Sequence, residues 1–146
     1  MNVLRIEVSE LAKIVRNKTL KPGIDYLVVD VRDNDFIGGH IPGAINVPAY
    51  EIRDKAVSLV REYCDIPMIV FHCALSQARG PKSARIYSEI SQQLSISSSQ
   101  TSDSFVLSKK LEKQKIMVLT GGFTTWYYKY KNDPSMIEDA DHSLWE

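Results

Sequence analysis

The chain has 146 residues, 44% hydrophobic and 25% charged, which fits one soluble domain with a sizeable core. Its 18 basic and 18 acidic residues cancel, so a general electrostatic pull toward nucleic acid or an anionic membrane is excluded, and any preference for anions must be local to a pocket. Two cysteines, Cys64 and Cys73, exclude a disulfide framework, and no apolar run is long enough to span a bilayer.

Met1 to Ile14 carries charges throughout and lacks the apolar centre of a signal peptide. The expected compartment is therefore the cytoplasm, the nucleus or both. Leu4 to Val8 predicts a short edge strand. Ser9 then predicts the N-cap of a helix over Glu10 to Asn17, with Leu11, Ile14 and Val15 on one face. Lys21-Pro22-Gly23 is a turn signal. Tyr26 to Val31 is β-branched and almost continuously apolar, the pattern of a central parallel strand covered on both faces.

A structured connection follows, rich in glycine and proline, from Arg32 to Pro48. Within it Asp33 and Asp35 read as solvated loop charges, and Ile45-Asn46-Val47 as a short strand. Arg53 to Tyr63 predicts a helix with Ala56, Val57, Leu59 and Val60 inward, and Cys64 near its end as a half-buried thiol of no special reactivity. Pro67 to Phe71 is a buried strand, and Lys82 to Leu94 a helix. Residues 95–104, dominated by serine, predict a solvated loop or flexible insertion. Phe105 to Lys113 predicts a helix, Ile116 to Leu119 a strand, and Phe123 to Tyr130 a short aromatic helix after the Gly121-Gly122 turn. Phe123 and Trp126 are expected in the core, with Tyr127, Tyr128 and Tyr130 exposed or half buried. The tail, 132–146, is polar until Leu144-Trp145, which can dock back on the body.

Strands alternating with helices predict a central, mostly parallel sheet with helices on both faces, and a site at the strands' carboxyl ends. His72 to Pro81 lies at such an end, between a buried strand and a helix. Backbone N–H groups at a helix N-terminus bind anions. A free thiol titrates near pH ~8.5, and helix N-termini can bring that to ~3.5–7.5, so Cys73 is the expected nucleophile. Five residues then separate it from Arg79, enough for their N–H groups to wrap a tetrahedral oxyanion, while Arg79 offers a planar fork for two of its oxygens. Ala74, Leu75, Ser76, Gln77, Ala78 and Arg79 are thus the expected oxyanion-binding set. Gly80 permits the turn into the helix, and Pro81 suits a first helical turn. His72 is expected to hold the loop by a hydrogen bond or to stabilise the thiolate.

Three further strings flank this loop: Asp30-Val31-Arg32, Gly39 to Pro48 (Gly-His-Ile-Pro-Gly-Ala-Ile-Asn-Val-Pro), and Leu119 to Trp126 (Leu-Thr-Gly-Gly-Phe-Thr-Thr-Trp). Together they resemble the signatures of rhodanese-like domains, over roughly Ile6 to Tyr130. The resemblance implies that fold as one catalytic domain, core about 6–130 of 1–146. Sulfurtransferases of the family close the loop one residue earlier. The longer loop here resembles the M-phase inducer dual-specificity phosphatases and the eukaryotic arsenate reductases. It implies a protein-tyrosine or dual-specificity phosphatase working through a phosphocysteine. The alternative is a thiol-dependent arsenate reductase, with glutathione and glutaredoxin as reductant; a sulfurtransferase is disfavoured.

The chain departs from those phosphatases at Ala74 and Ala78, where they carry loop acids, and at Val31, where they carry a cysteine able to form a protective disulfide. It also lacks the zinc-binding Cys and His set of plant members. The expectations are therefore no metal, no resident cofactor, a phosphorylated protein or small oxyanion as substrate, no nucleic-acid or membrane partner, and a monomer. Asp30 and Arg32 are expected to brace the sheet end by hydrogen bonds or an ion pair, and His40 to satisfy backbone groups.

Overall fold

A computed structural model describes residues 3–97 and 102–145. Five strands form one sheet: β1 (Val3–Ile6), β2 (Leu27–Asp30), β3 (Ile45–Asn46), β4 (Met68–His72) and β5 (Lys115–Leu119). The order across it is β1-β5-β4-β2-β3, and every pairing is parallel. β4 is central, and its Ile69, Val70 and Phe71 are wholly buried, as an unbroken apolar run requires when both faces are covered. Burying one such side chain stabilises the fold by roughly 1.5–3 kcal/mol.

The helices are α1 (Val8–Arg16), α2 (Ala49–Glu62), α3 (Arg79–Ser97), α4 (Ser102–Lys113) and α5 (Gly122–Tyr130). Two separate apolar cores show that both faces are covered. One packs Ile52, Ala56 and Val60 of α2, Ala84 and Tyr87 of α3 and Leu111 of α4 against Leu27, Val29, Ile69 and Phe71. The other packs Leu11 and Val15 of α1 and Phe123, Trp126 and Tyr130 of α5 against Val28, Val70 and Leu119. Among the described residues no helix is long and apolar enough to cross a membrane.

Several boundaries differ from the sequence expectations, each for a physical reason. α1 begins at Val8, and its N-cap is Glu7 rather than Ser9. The Glu10 side chain accepts the Glu7 N–H at 3.1 Å, which lets Val8 join the buried face. α2 starts at Ala49 instead of Arg53, because Pro48 presets the entry and Ala49 N–H donates to Val31 O at 3.0 Å. Val57, expected inward, is 44% exposed; the buried stripe is Ile52, Ala56, Leu59 and Val60.

The serine-rich insertion is mostly helix. α3 runs on to Ser97 and α4 opens at Ser102; only 98–101 lie outside the described residues. The two helices pack side by side, and Ser95 and Ser108 share a hydroxyl hydrogen bond of 2.9 Å, so Ser95, which looks solvated in sequence, serves a helix pair.

Tyr127 and Tyr130, expected to be largely outside, are buried; only Tyr128 follows the expectation, at 53% exposed. Tyr130 packs against the Trp126 ring and under the Arg16 guanidinium, and for Tyr127 the reason is the tail. Trp145 stacks on Tyr127 at 4.1 Å between ring centroids, and its indole N–H donates to Gly38 O at 3.2 Å. Leu144, its neighbour, stays exposed.

Candidate active site

β4 delivers His72 and Cys73 to the sheet's carboxyl edge, and α3 begins six residues beyond Cys73, at Arg79. The intervening loop surrounds a cavity of about 200 Å³ lined by Cys73, Ala74, Leu75, Gln77, Ala78 and Arg79. Cys73 is 3% exposed and forms its floor. Its Sγ accepts the Ser76 N–H at 3.2 Å and the Gly80 N–H at 3.3 Å. A charged sulfur accepts such hydrogen bonds more strongly than a neutral thiol.

Ser76 stands apart from the rest of its set. It is buried, it does not line the cavity, and its Oγ accepts the Cys73 N–H at 3.4 Å. Its φ of +53° is the left-handed turn that aims its own N–H at the sulfur. It supports the Cys73 sulfur.

The loop's shape is imposed from the far side by α5. Phe123 N–H donates to Cys73 O and Thr124 N–H to Ala74 O, both at 2.9 Å. Two orphan donors of the α5 N-terminus thereby hold two loop carbonyls away from the cavity. The close approach needs Gly122: a Cβ there would lie 2.5 Å from Ala74 O and 2.6 Å from Cys73 O, at a φ of +61°. The sequence marks Gly121-Gly122 as a turn, but nothing in its spacing names the loop as the partner.

His72 is fully buried, with Nδ1 3.1 Å from Cys73 O and Nε2 3.5 Å from Asp30 Oδ2. Burial pulls its pKa below the ordinary value, against the upward pull of the Asp30 carboxylate. With Nδ1 assigned the proton, the neutral ring donates to Cys73 O, leaving Nε2 without a hydrogen-bond partner.

Asp30 and Arg32 form the expected brace as a buried ion pair. Arg32 Nε donates to Asp30 Oδ1 at 2.9 Å and Nη2 to Oδ2 at 2.6 Å. The same guanidinium donates to Asp35 O and Gly39 O, each at 2.9 Å, and lies 4.2 Å from the Phe123 ring centroid. It ties the β2 end, the β2–β3 connection and α5 together. Asn46 Nδ2 adds donations to Asp30 O and Arg32 O, at 2.9 and 2.8 Å. His40 bridges to Glu138 through paired backbone hydrogen bonds and stacks on Phe36, with no place in the cavity.

The largest departure from expectation concerns Arg79. Its fork is closed on Asp35: Nη1 to Oδ1 at 2.9 Å and Nη2 to Oδ2 at 2.6 Å, with Asp33 Oδ1 at 3.5 Å. The two aspartates are therefore not free loop charges. The Arg79 hydrogen bonds hold the Asp35 carboxyl down at about 2, and the same bonds push the Arg79 pKa up.

Cys64 lies before β4 and Cys73 after it. At about 3.3 Å per residue the five-residue strand alone holds them about 16 Å apart, too far for a disulfide. Among the described residues no three His, Cys, Asp or Glu side chains converge as metal ligands.

A parallel sheet sandwiched by helices, with a cysteine-floored bowl at its carboxyl edge, defines an α/β domain of enzyme type. The chain belongs to the rhodanese-like domain family, whose model matches residues 7–129. A fission yeast relative, dual specificity phosphatase ibp1, is 34% identical, the match covering 76% of this chain and 81% of that one. Arsenate reductase 2.2 of rice is 35% identical over 68% of this chain and 67% of its own. The solved structure of a yeast protein tyrosine phosphatase of the Rhodanese family superposes with a TM-score of 0.74 at 26% identity, covering 100% of this chain and 99% of that one. The relatives are enzymes, phosphatases and arsenate reductases.

Proposed function

We propose that this protein is a cysteine-dependent phosphatase of the M-phase inducer type, acting on phosphorylated tyrosine or threonine of a protein. The observation that carries the reading is the Cys73 sulfur, seated under two amide N–H groups at the floor of a Cys-x5-Arg bowl. The Cys73 thiolate attacks phosphorus, and the bond to the leaving oxygen breaks. That oxygen takes its proton from water, since no loop side chain is a carboxylic acid. Loop N–H groups and Arg79 hold the equatorial oxygens as charge redistributes. Water then attacks the phosphocysteine, the P–S bond breaks, and phosphate leaves. The Ser76 and Gly80 amides stabilise the thiolate as it departs, and no cofactor is needed.

The absence of a loop acid favours one second reading, an arsenate reductase. Arsenate has no high-pKa alkoxide to expel, and a small thiol such as glutathione, with glutaredoxin, would supply the two electrons. One preparation tests both. It is given an aryl phosphate, then arsenate with glutathione and glutaredoxin. Phosphatase activity that vanishes in Cys73→Ser supports the first reading. Activity on arsenate alone makes the protein a reductase, and thiosulfate-to-cyanide transfer alone makes it a sulfurtransferase.

A further inference from the structure

Among the described residues Arg79 is the one guanidinium lining the bowl, and both its terminal nitrogens are engaged by Asp35. A carboxylate edge and an edge of a tetrahedral oxyanion present the same pair of oxygens to a guanidinium fork. The two ligands are therefore mutually exclusive there. We propose that Asp35 is an internal competitor for the substrate oxyanion: it closes the Arg79 fork in the resting protein, and an oxyanion binds by displacing it. This inference rests on the oxyanion-binding bowl of the proposed phosphatase.

The surroundings decide which partner moves. Asp35 sits on a pinned backbone. Buried Arg32 donates to Asp35 O at 2.9 Å, and Asp33 N–H donates to Asp35 Oδ1 at 3.1 Å. Three residues beyond Asp35, the tail clamps the same connection: Asp141 N–H and the Trp145 indole both donate to Gly38 O, at 3.0 and 3.2 Å. The Arg79 side chain is 35% exposed, and ion pairs with Asp33 and Asp35 restrain it. Exchange is thus a swing of Arg79 into the bowl. It leaves behind two carboxylates that are already 40% and 47% exposed, where water can solvate them.

The consequence is a threshold. Apparent affinity for any oxyanion falls by the fraction of molecules whose fork is open. Free phosphate gains only the bowl. A phosphoprotein can also fill the adjoining groove of about 240 Å³, where Tyr50, Lys82 and Ile86 lie beside Arg79, and so opens the fork more readily.

The test is calorimetric titration of the whole chain with tungstate at pH 7 and fixed ionic strength, using wild type, Asp35→Asn, Asp35→Glu and Asp33→Asn. Thermal melts check that each variant folds. Asp35→Asn keeps the side chain's volume and removes its charge, and should tighten tungstate roughly three- to fivefold, the upper end of what an exposed ion pair supports. Asp35→Glu should return toward wild type, and Asp33→Asn should stay within about twofold. With an aryl phosphate, Asp35→Asn should lower KM without raising kcat. Tungstate binding seen in Asp35→Asn but undetectable in wild type would also support the competitor. Equal or weaker binding by Asp35→Asn overturns it and makes Asp35 a residue that positions Arg79. Binding by none of the folded proteins overturns the bowl itself, and the proposed function with it.

Discussion

Gly122→Ala isolates the contact that shapes the bowl without changing the identity of any residue that lines it. The new Cβ would meet backbone oxygens on two residues, Ala74 and Cys73, at 2.5 and 2.6 Å. Neither can rotate away as a side chain could. The φ of +61° adds about 1–2 kcal/mol for any residue with a Cβ. Relieving the clash pulls Phe123 and Thr124 N–H off their acceptors, at about 1 kcal/mol for each hydrogen bond lost. The sum is roughly 3–4 kcal/mol, or a Tm lowered by about 10 °C for a chain of this size. Because the freed carbonyls can then turn toward the cavity, tungstate affinity should fall alongside stability. Differential scanning calorimetry and titration on the same sample read both. Gly80→Ala is the milder comparison: its Cβ meets Cys73 N at 3.2 Å and His72 Cα at 3.3 Å, contacts well outside the 2.5 and 2.6 Å that Gly122→Ala would create. A Gly122→Ala protein melting within about 2 °C of wild type, with tungstate binding intact, would refute the view that α5 sculpts the loop.

Arg79→Lys should weaken tungstate binding by at least about tenfold, because a point charge cannot replace a two-pronged donor; equal affinity in the titration would count against Arg79 as oxyanion ligand. Asp30→Asn leaves the Arg32 guanidinium buried without its counter-charge, and should cost about 3–5 kcal/mol in chemical denaturation. A loss under about 1 kcal/mol would mean that the Asp35 and Gly39 carbonyls suffice. Burial lowers the folded-state pKa of His72, so below its unfolded value, about 6.5, the unfolded chain binds the extra proton. The His72 contribution to stability is therefore complete above about pH 6.5 and erodes as pH falls toward the lowered value. His72→Asn should flatten that part of the stability-against-pH curve, measured by urea midpoints from pH 8 to 5. An unchanged slope would show that His72 is not the titrating group.

Elements whose cause is local were legible before any coordinates. The unbroken apolar run of β4, the cysteine at its end and the helix that follows lie in one contiguous stretch, so strand, bowl and nucleophile come from near neighbours. Helix ends were less so. Glu7 outcompeted Ser9 as a cap because capping there lets Val8 reach the core, which only packing rewards. The serines of 95–97 and 102–104 look like linker in composition, yet the helices that carry them pack on each other.

The chain's own order of residues thus determined the sheet, the covering of both its faces, and the Cys73 to Arg79 span. Tertiary structure alone decided where the Arg79 charge rests and what bends the loop. Asp35, 44 residues away, meets Arg79 only once β2 and β4 lie side by side, and α5 reaches the loop only because β5 pairs with β4. Ion pairs and helix-end hydrogen bonds act over a few ångströms of space. Their partners are therefore fixed by strand order rather than by spacing along the sequence.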